Sequence, residues 1–303
     1  MTMTPASSAI SSALARLRRF ALTAVAATMA FAAPLLPQAG FSQTAPAPGL
    51  TTLADGRVVA PDIGRILSRG ELVVAMNRVN AYPFFYERDG VPMGSDVDLM
   101  RDLAKELKVG IRFDRSPKTF DGVADLVAAG GADVGVSRLA RTLARFQKVS
   151  FSNPYFKLNH ALLINRVAFA KLAHERPIEK VIRGFDGSLG VMRASAWVEF
   201  ARRNFPKARI VEFKSWKDVV EAVKRGEIVA GYRDEYETRL VLAKDPSLTL
   251  TLRTVAFDDA YSDLAVAVGI RDTALLAYIN EFLAQRRTDI SIAKLLAAAK
   301  AGN

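Results

Sequence analysis

The apolar positions change period several times along the chain, and each change marks an element. Leu72-Val73-Val74-Ala75 is a short unbroken apolar run, the pattern of a strand buried on both faces. From Asp96 to Leu107 the apolar residues are Val97, Leu99, Met100, Leu103, Ala104 and Leu107, which is helical spacing. Ile111-Arg112-Phe113 reads as a strand, Phe120–Ala129 as a helix closed by Gly130-Gly131, Asp133–Val136 as a strand, and Thr142 as the start of another helix. A turn-rich stretch from Phe151 to Tyr155 breaks the alternation. It restarts with strands at 161–164, 189–192, 208–213 and 228–232, interleaved with helices at 196–203, 216–224 and 234–243. A short helix at 63–68 precedes the first strand, and a late strand at 265–268 is followed by helices at 273–283 and 290–299. Strands alternating with helices predict parallel sheets with right-handed crossovers, and two such α/β units stand in tandem. Ligands of paired α/β units bind at the carboxyl ends of strands, facing the crevice. The residues after Ala75, Val136, Met192 and Tyr232 are therefore the ones to inspect.

The first forty-five residues follow another pattern. Arg16, Arg18 and Arg19 precede a run from Phe20 to Ala33 whose only hydroxyls are Thr23 and Thr28, and Pro34, Pro37 and small residues come next. Basic, then apolar, then small is the order of a secretory signal peptide. The expectation is a signal peptide over 1–45, cleaved within 32–45, with 46–60 as a linker; a retained anchor is the alternative. Composition narrows the function classes. The 303 residues carry a net charge of +11, and 39 Lys and Arg against 31 Asp and Glu leave +8 after residue 45. No run of five basic residues occurs, so a nucleic-acid partner is not expected. With no cysteine and only His160 and His174, disulfides, thiol chemistry and a His-rich metal site are excluded, and neither cofactor nor metal is expected. An exported carrier without a lipid-anchor cysteine needs an outer membrane to retain it, which points to the periplasm of a Gram-negative cell.

After Val136 come Ser137, Arg138 and, further on, Thr142 and Arg145. Thr142 suits an N-cap, but Arg145 stands where a capping box would place Glu or Gln. A cation there opposes the helix dipole, so Arg145 is either a surface side chain reaching water or a fork for a ligand carboxylate. After Tyr232, Asp234 and Glu237 have capping-box spacing, and Asp234 is either that cap or the acceptor of a ligand ammonium. After Met192, Arg193-Ala194-Ser195-Ala196 opens a helix and could receive an anion. Tyr82 and Phe84 belong to an aromatic cluster that either stacks on a ligand or fills the core. Trp197, Trp216 and both histidines read as structural.

From Gly70 to Leu283 these features together resemble the family 3 periplasmic solute-binding proteins, the polar amino-acid receptors of ABC importers. The resemblance rests on Gly70–Val74, Pro83-Phe84, Gly94–Leu99, Gly130–Asp133, Arg145, Ser150–Tyr155, Leu189–Val191 and Gly226–Ile228 leading to Asp234. It implies a two-lobed α/β fold of the type II periplasmic-binding-protein kind, with a central cleft and two crossover hinge strands. Lobe 1 would be 61–156 plus 258–303 and lobe 2 would be 157–257. It further implies that Arg145 binds an α-carboxylate, Asp234 an α-ammonium, and that Ser137 and Ser195 are cleft contacts. A small-molecule ligand, an ABC permease in the inner membrane and a monomeric state follow from the same resemblance, although a ligand sensor would use the same chemistry. Ala140, Ala194 and Ser95 depart from the family pattern, and Arg138, Arg141 and Arg193 stand where small or polar residues are usual. Extra arginines favour an acidic side chain or an anion that is not an amino acid. Phe200–Asn204, Lys207–Ile210 and Asp234–Glu237 also resemble periplasmic cyclohexadienyl (prephenate/arogenate) dehydratases, with Glu237 in the place of their general acid. Against this alternative, Met192–Trp197 lacks the two asparagines of the corresponding loop of those enzymes.

Overall fold

A computed structural model describes residues 49–286 and 292–301; the signal segment and its cleavage sites lie outside the described residues. Two five-stranded sheets organise the rest. The first runs in the order 110–114, 71–75, 134–135, 267–269, 149–151, and the second in the order 209–213, 188–192, 230–234, 156–165, 252–264. Each has four strands running one way, three of them adjacent as the alternation predicts, and one strand next to the edge running against them. In the first sheet 267–269 runs antiparallel to both its neighbours, and in the second 156–165 is antiparallel to 230–234 and to 252–264. These mixed edges arise where the chain passes between the lobes. One strand enters the second sheet, another leaves it, and they must run in opposite directions. They pair with each other from Asn165↔Leu252 to Ala161↔Ala256 and again from Asn159↔Tyr261 to Phe156↔Leu264, with an irregularity between.

Helices cover the sheets through the apolar stripes seen in the sequence. Ser95–Leu107 buries Val97, Leu99, Met100, Leu103 and Leu107. Trp216–Lys224 begins at Ser215, whose hydroxyl accepts from Asp218 N at 3.2 Å, and buries Val219, Val220 and Val223. It lies so close to strand Ala230–Asp234 that a Cβ on Gly231 would stand 2.7 Å from Val219 Cγ1, so only glycine fits there. The helix expected from Thr142 is one turn, Leu143–Phe146, because Leu143 is 76% exposed and no apolar face holds a longer helix down. Within the expected linker, Thr51–Thr52 pairs antiparallel with Val58–Val59 and packs on Gly64 of helix Pro61–Arg69.

Candidate functional site

The loop after strand Val134–Gly135 forms the lobe 1 wall of the cleft. It is pinned to the returning crossover strand, where Ala265 N donates to Leu139 O at 3.0 Å and Arg141 N donates to Asp263 O at 3.1 Å. Arg138 adopts φ +52°, and its N–H donates to Asp96 Oδ2 at 2.7 Å. Burial pushes the Asp96 carboxyl up to about 7, against the bonds it accepts from Arg138 N and from Tyr155 Oη. The Arg138 side chain crosses to the other lobe. Its Nη2 donates to Asp234 Oδ2 and its Nη1 to Glu237 Oε1, each at 2.7 Å, and the guanidinium lies 4.5 Å from the Phe84 ring centroid and 5.8 Å from that of Tyr236. Burial alone would lower the pKa of this guanidinium, but the two carboxylates hold it above its ordinary value. Arg145 is buried on the same loop. Its Nη1 donates to Ala140 O at 2.7 Å, and its Nε and Nη2 donate to Asp121 Oδ1 at 3.0 and 2.7 Å. Thr142 caps the single turn by accepting from Arg145 N at 3.2 Å.

Lobe 2 presents the joint between strand Ala230–Asp234 and helix Glu235–Lys244. Asp234 Oδ1 caps that helix by accepting from Glu237 N at 2.9 Å, while Oδ2 takes the Arg138 fork, so the local and the cross-cleft roles coexist on one carboxylate. Arg233 lies beside it between Phe120 and Trp197, 5.6 Å from each ring centroid. Arg138, Arg145, Ser195, Arg233, Asp234 and Ser262 share the wall of one cavity of about 20 Å³, room for roughly one water. Beyond Arg145 and Ser195 it gives onto a groove of about 680 Å³ with Asp121 and Glu199 on its rim. Further contacts hold the lobes together. Tyr236 Oη donates to Tyr82 O at 2.9 Å, Glu199 accepts from Leu143 N and Ala144 N at 3.2 and 3.4 Å, and Asp121 N donates to Ala194 O at 3.4 Å.

Of the residues singled out in the sequence, Arg145, Asp234, Arg138 and Ser195 meet on the cavity wall. The Ser195 hydroxyl is turned back to Met192 O at 2.6 Å. Ser137 faces into lobe 1, accepting from Asn77 N at 2.8 Å and donating to Val136 O. Phe84 is core beneath the Arg138 guanidinium, and Tyr82 contributes its carbonyl and a ring 4.8 Å from that of Tyr86. Arg193 is exposed and away from the cavity, since the chain turns at Ala194 with φ +50°. Glu237 joins Asp234 on the fork. Arg233 and Ser262 line the cavity and were not singled out. Arg233 sits at the strand end already marked for inspection; Ser262 sits on a strand whose apolar pattern is broken.

Two α/β lobes closed over a small charged cavity define a solute-binding protein. The chain belongs to the bacterial extracellular solute-binding proteins, family 3, whose family model matches residues 72–298. A probable histidine-binding protein of Campylobacter jejuni is 25% identical over 169 residues, 56% of this chain, and the match spans 62% of that relative's length. An arginine-binding periplasmic protein of Mannheimia haemolytica is 22% identical over 67% of this chain and 81% of its own, and the L-cystine-binding protein TcyJ of Escherichia coli K12 is 24% identical over 75% and 81%. Among solved structures, the ancestral amino acid-binding protein AncCDT-1, a precursor of cyclohexadienyl dehydratase, superposes with a TM-score of 0.60 at 27% identity, covering 78% of this chain and 97% of that one. An amino acid ABC transporter substrate-binding protein from Streptococcus pneumoniae, bound to L-arginine, shares the fold with a TM-score of 0.61 at 24% identity, covering 78% and 98%.

Proposed function

We propose that this chain is the periplasmic, exported component of an ABC importer that captures an amino acid or similar small carboxylate and presents it to an inner-membrane permease. The observation that carries this reading is that Arg145 of one lobe and Asp234 of the other face one cavity. Lobe 1 is taken as 61–156 plus 258–303 and lobe 2 as 157–257, hinged on the paired strands Phe156–Asn165 and Leu252–Leu264. A ligand gripped from both sides binds the closed form better than the open one, and that difference in affinity drives closure.

Arg145 in this reading exchanges Asp121, which is 41% exposed at the cleft mouth, for the ligand carboxylate. Two charged hydrogen bonds at about 1.5–3 kcal/mol each correspond to a loss of at least 100-fold in affinity for Arg145→Ala, read by calorimetry after a thermal-shift screen has found the ligand. Unchanged affinity in that variant would sink the assignment. The dehydratase alternative asks Glu237 for a proton. Although burial pushes its carboxyl up, Arg138 and Arg233 hold it below its usual range, so it is ionised where a general acid must be protonated.

A further inference from the structure

We propose that the cleft selects small dicarboxylates, acidic amino acids included, by seating an anion against Arg145, Arg233 and Ser262, and excludes cationic amino acids because the chain's own Arg138 fills the cationic seat. This rests on the solute-binding reading above and names the ligand class for it.

The seat for a cation is built and already taken. Asp234 and Glu237 make the negative end, Phe84 and Tyr236 the aromatic walls, and the Arg138 guanidinium, 3% exposed, satisfies all four. A ligand guanidinium or ammonium entering there would have to expel a side chain tethered a few bonds away, against its high local concentration. On the cavity side three guanidiniums (Arg138, Arg145 and Arg233) stand against Asp234 and Glu237, and the third carboxylate, Asp121 on Arg145, is 41% exposed at the mouth, so a ligand that displaces Asp121 meets a net positive wall.

Arg233 is the group left unanswered. It is 5% exposed, its Nε makes no hydrogen bond, its Nη1 reaches only Met192 Sδ at 4.0 Å, and its nearest carboxylate oxygens are 3.5 and 3.8 Å away and held by Arg138. Burial lowers its pKa despite those carboxylates. A buried cation with poor partners on a cavity wall is a group whose best partner comes from outside.

Ser262 supplies a second donor by an independent route. Asn204 Nδ2 donates to Tyr232 Oη at 2.8 Å, and Tyr232 Oη meets His160 Nδ1, whose Nε2 lies 2.7 Å from Ser262 Oγ. Tyr232 is fully buried and Asn204 Nδ2 can only donate to it, so among the described residues the acceptor left for the tyrosine proton is Nδ1. That assigns the neutral imidazole its proton on Nε2, and Nε2 donates to Ser262. The serine proton is then free for the cavity that Ser262 lines. Arg145, Arg233 and Ser262 thus all present donors, as a carboxylate requires.

The test is calorimetric titration of the purified chain with L-glutamate, L-aspartate, succinate, L-arginine and L-lysine. At least one acidic probe is expected to bind 100-fold tighter than either cationic one. For that probe Arg233→Gln should raise Kd at least tenfold, Arg233→Lys should recover part of the loss, and Ser262→Ala should raise Kd several-fold, with circular dichroism checking that each variant is folded. Tighter binding of L-arginine or L-lysine than of every acidic probe, or an Arg233→Gln variant with unchanged Kd, would overturn the selection while leaving a solute-binding protein. If no amino acid or dicarboxylate bound at all, the functional reading would fall together with this one.

Discussion

Lobe 1 carries its cleft charges on a loop, whereas lobe 2 carries them on the joint between a strand and a helix. The loop with Arg138 and Arg145 has little regular structure, and it is held by the backbone bonds of Leu139 and Arg141 to the crossover strand and by Asp96. On the other side, Asp234 is both the last residue of its strand and the cap of the next helix, so its carboxylate needs no help from lobe 1 to be placed. The rigid carboxylates therefore wait and the long guanidinium reaches across to them. Closure is the state in which these two kinds of support meet.

The sharpest way to break this pairing is Arg138→Ala. In the closed form the change leaves two buried carboxylates facing only Arg233, a loss of about 3–5 kcal/mol for a broken buried pair. In the open form water solvates both carboxylates, so the cost falls on closure and not on folding. Small-angle scattering of the ligand-free variant should give a larger radius of gyration than the parent, with the melting temperature nearly kept. The freed seat between Phe84 and Tyr236 should also accept L-arginine, which the parent is expected to reject. Equal radii would mean that the fork does not hold the lobes together.

Each lobe also buries a group that burial shifts toward its neutral form, Asp96 in lobe 1 and His160 in lobe 2, and the two pull stability in opposite directions with pH. Burial raises Asp96 from 3.8 to about 7, so the folded chain holds a proton that the unfolded chain has lost. Its contribution is fully present below about 4 and fades as pH rises to 7. Burial, with some help from Arg203, lowers His160 from 6.5 to about 3, so its contribution is present above 6.5 and fades as pH falls. Either slope is at most about 1.4 kcal/mol per pH unit. Asp96→Asn keeps an acceptor for Arg138 N and leaves His160 alone. Denaturant unfolding between pH 4.5 and 6.5 should show the variant's stability rising with pH while the parent's stays flatter. Parallel curves would show that Asp96 does not carry the raised pKa.

The same contrast separates what the sequence makes legible from what it does not. Helix Trp216–Lys224 has a serine cap, an acidic first turn and a valine stripe, all local, and its bounds are read directly. Asp234 is legible for the same reason, as a strand end with a capping residue. Arg138 is legible only as an extra cleft arginine, and its bridging role is not, because its backbone is anchored by Asp96 and its side chain by Asp234, partners distant in sequence. Arg233 hides in a strand where Tyr232, Arg233 and Asp234 are all buried, so alternation gives no sign of which face matters. Ser262 belongs to Leu252–Leu264, whose period breaks at the irregularity between Ala256 and Tyr261. The hairpin 86–88 with 91–93 is a missed local signal: Asp89-Gly90, with φ of +53° and +78°, is the dipeptide such a turn favours.

The smallest expected effect lies at the rim. Glu199 of lobe 2 accepts from Leu143 N and Ala144 N of lobe 1, first-turn N–H groups that have no acceptor within their own helix. It makes the same crossing as the Arg138 fork, but beside the wide groove, where water can replace it. Exchanging such a contact for water costs about 0.5–1.5 kcal/mol, and Glu199→Ala should therefore raise the ligand Kd by no more than about tenfold, through faster release and not slower capture. Stopped-flow kinetics separates the two rates. If Glu199→Ala opened the ligand-free chain as far as Arg138→Ala does, the energy of closure would lie at the solvent edge, and the buried guanidinium would be filling space without holding the lobes.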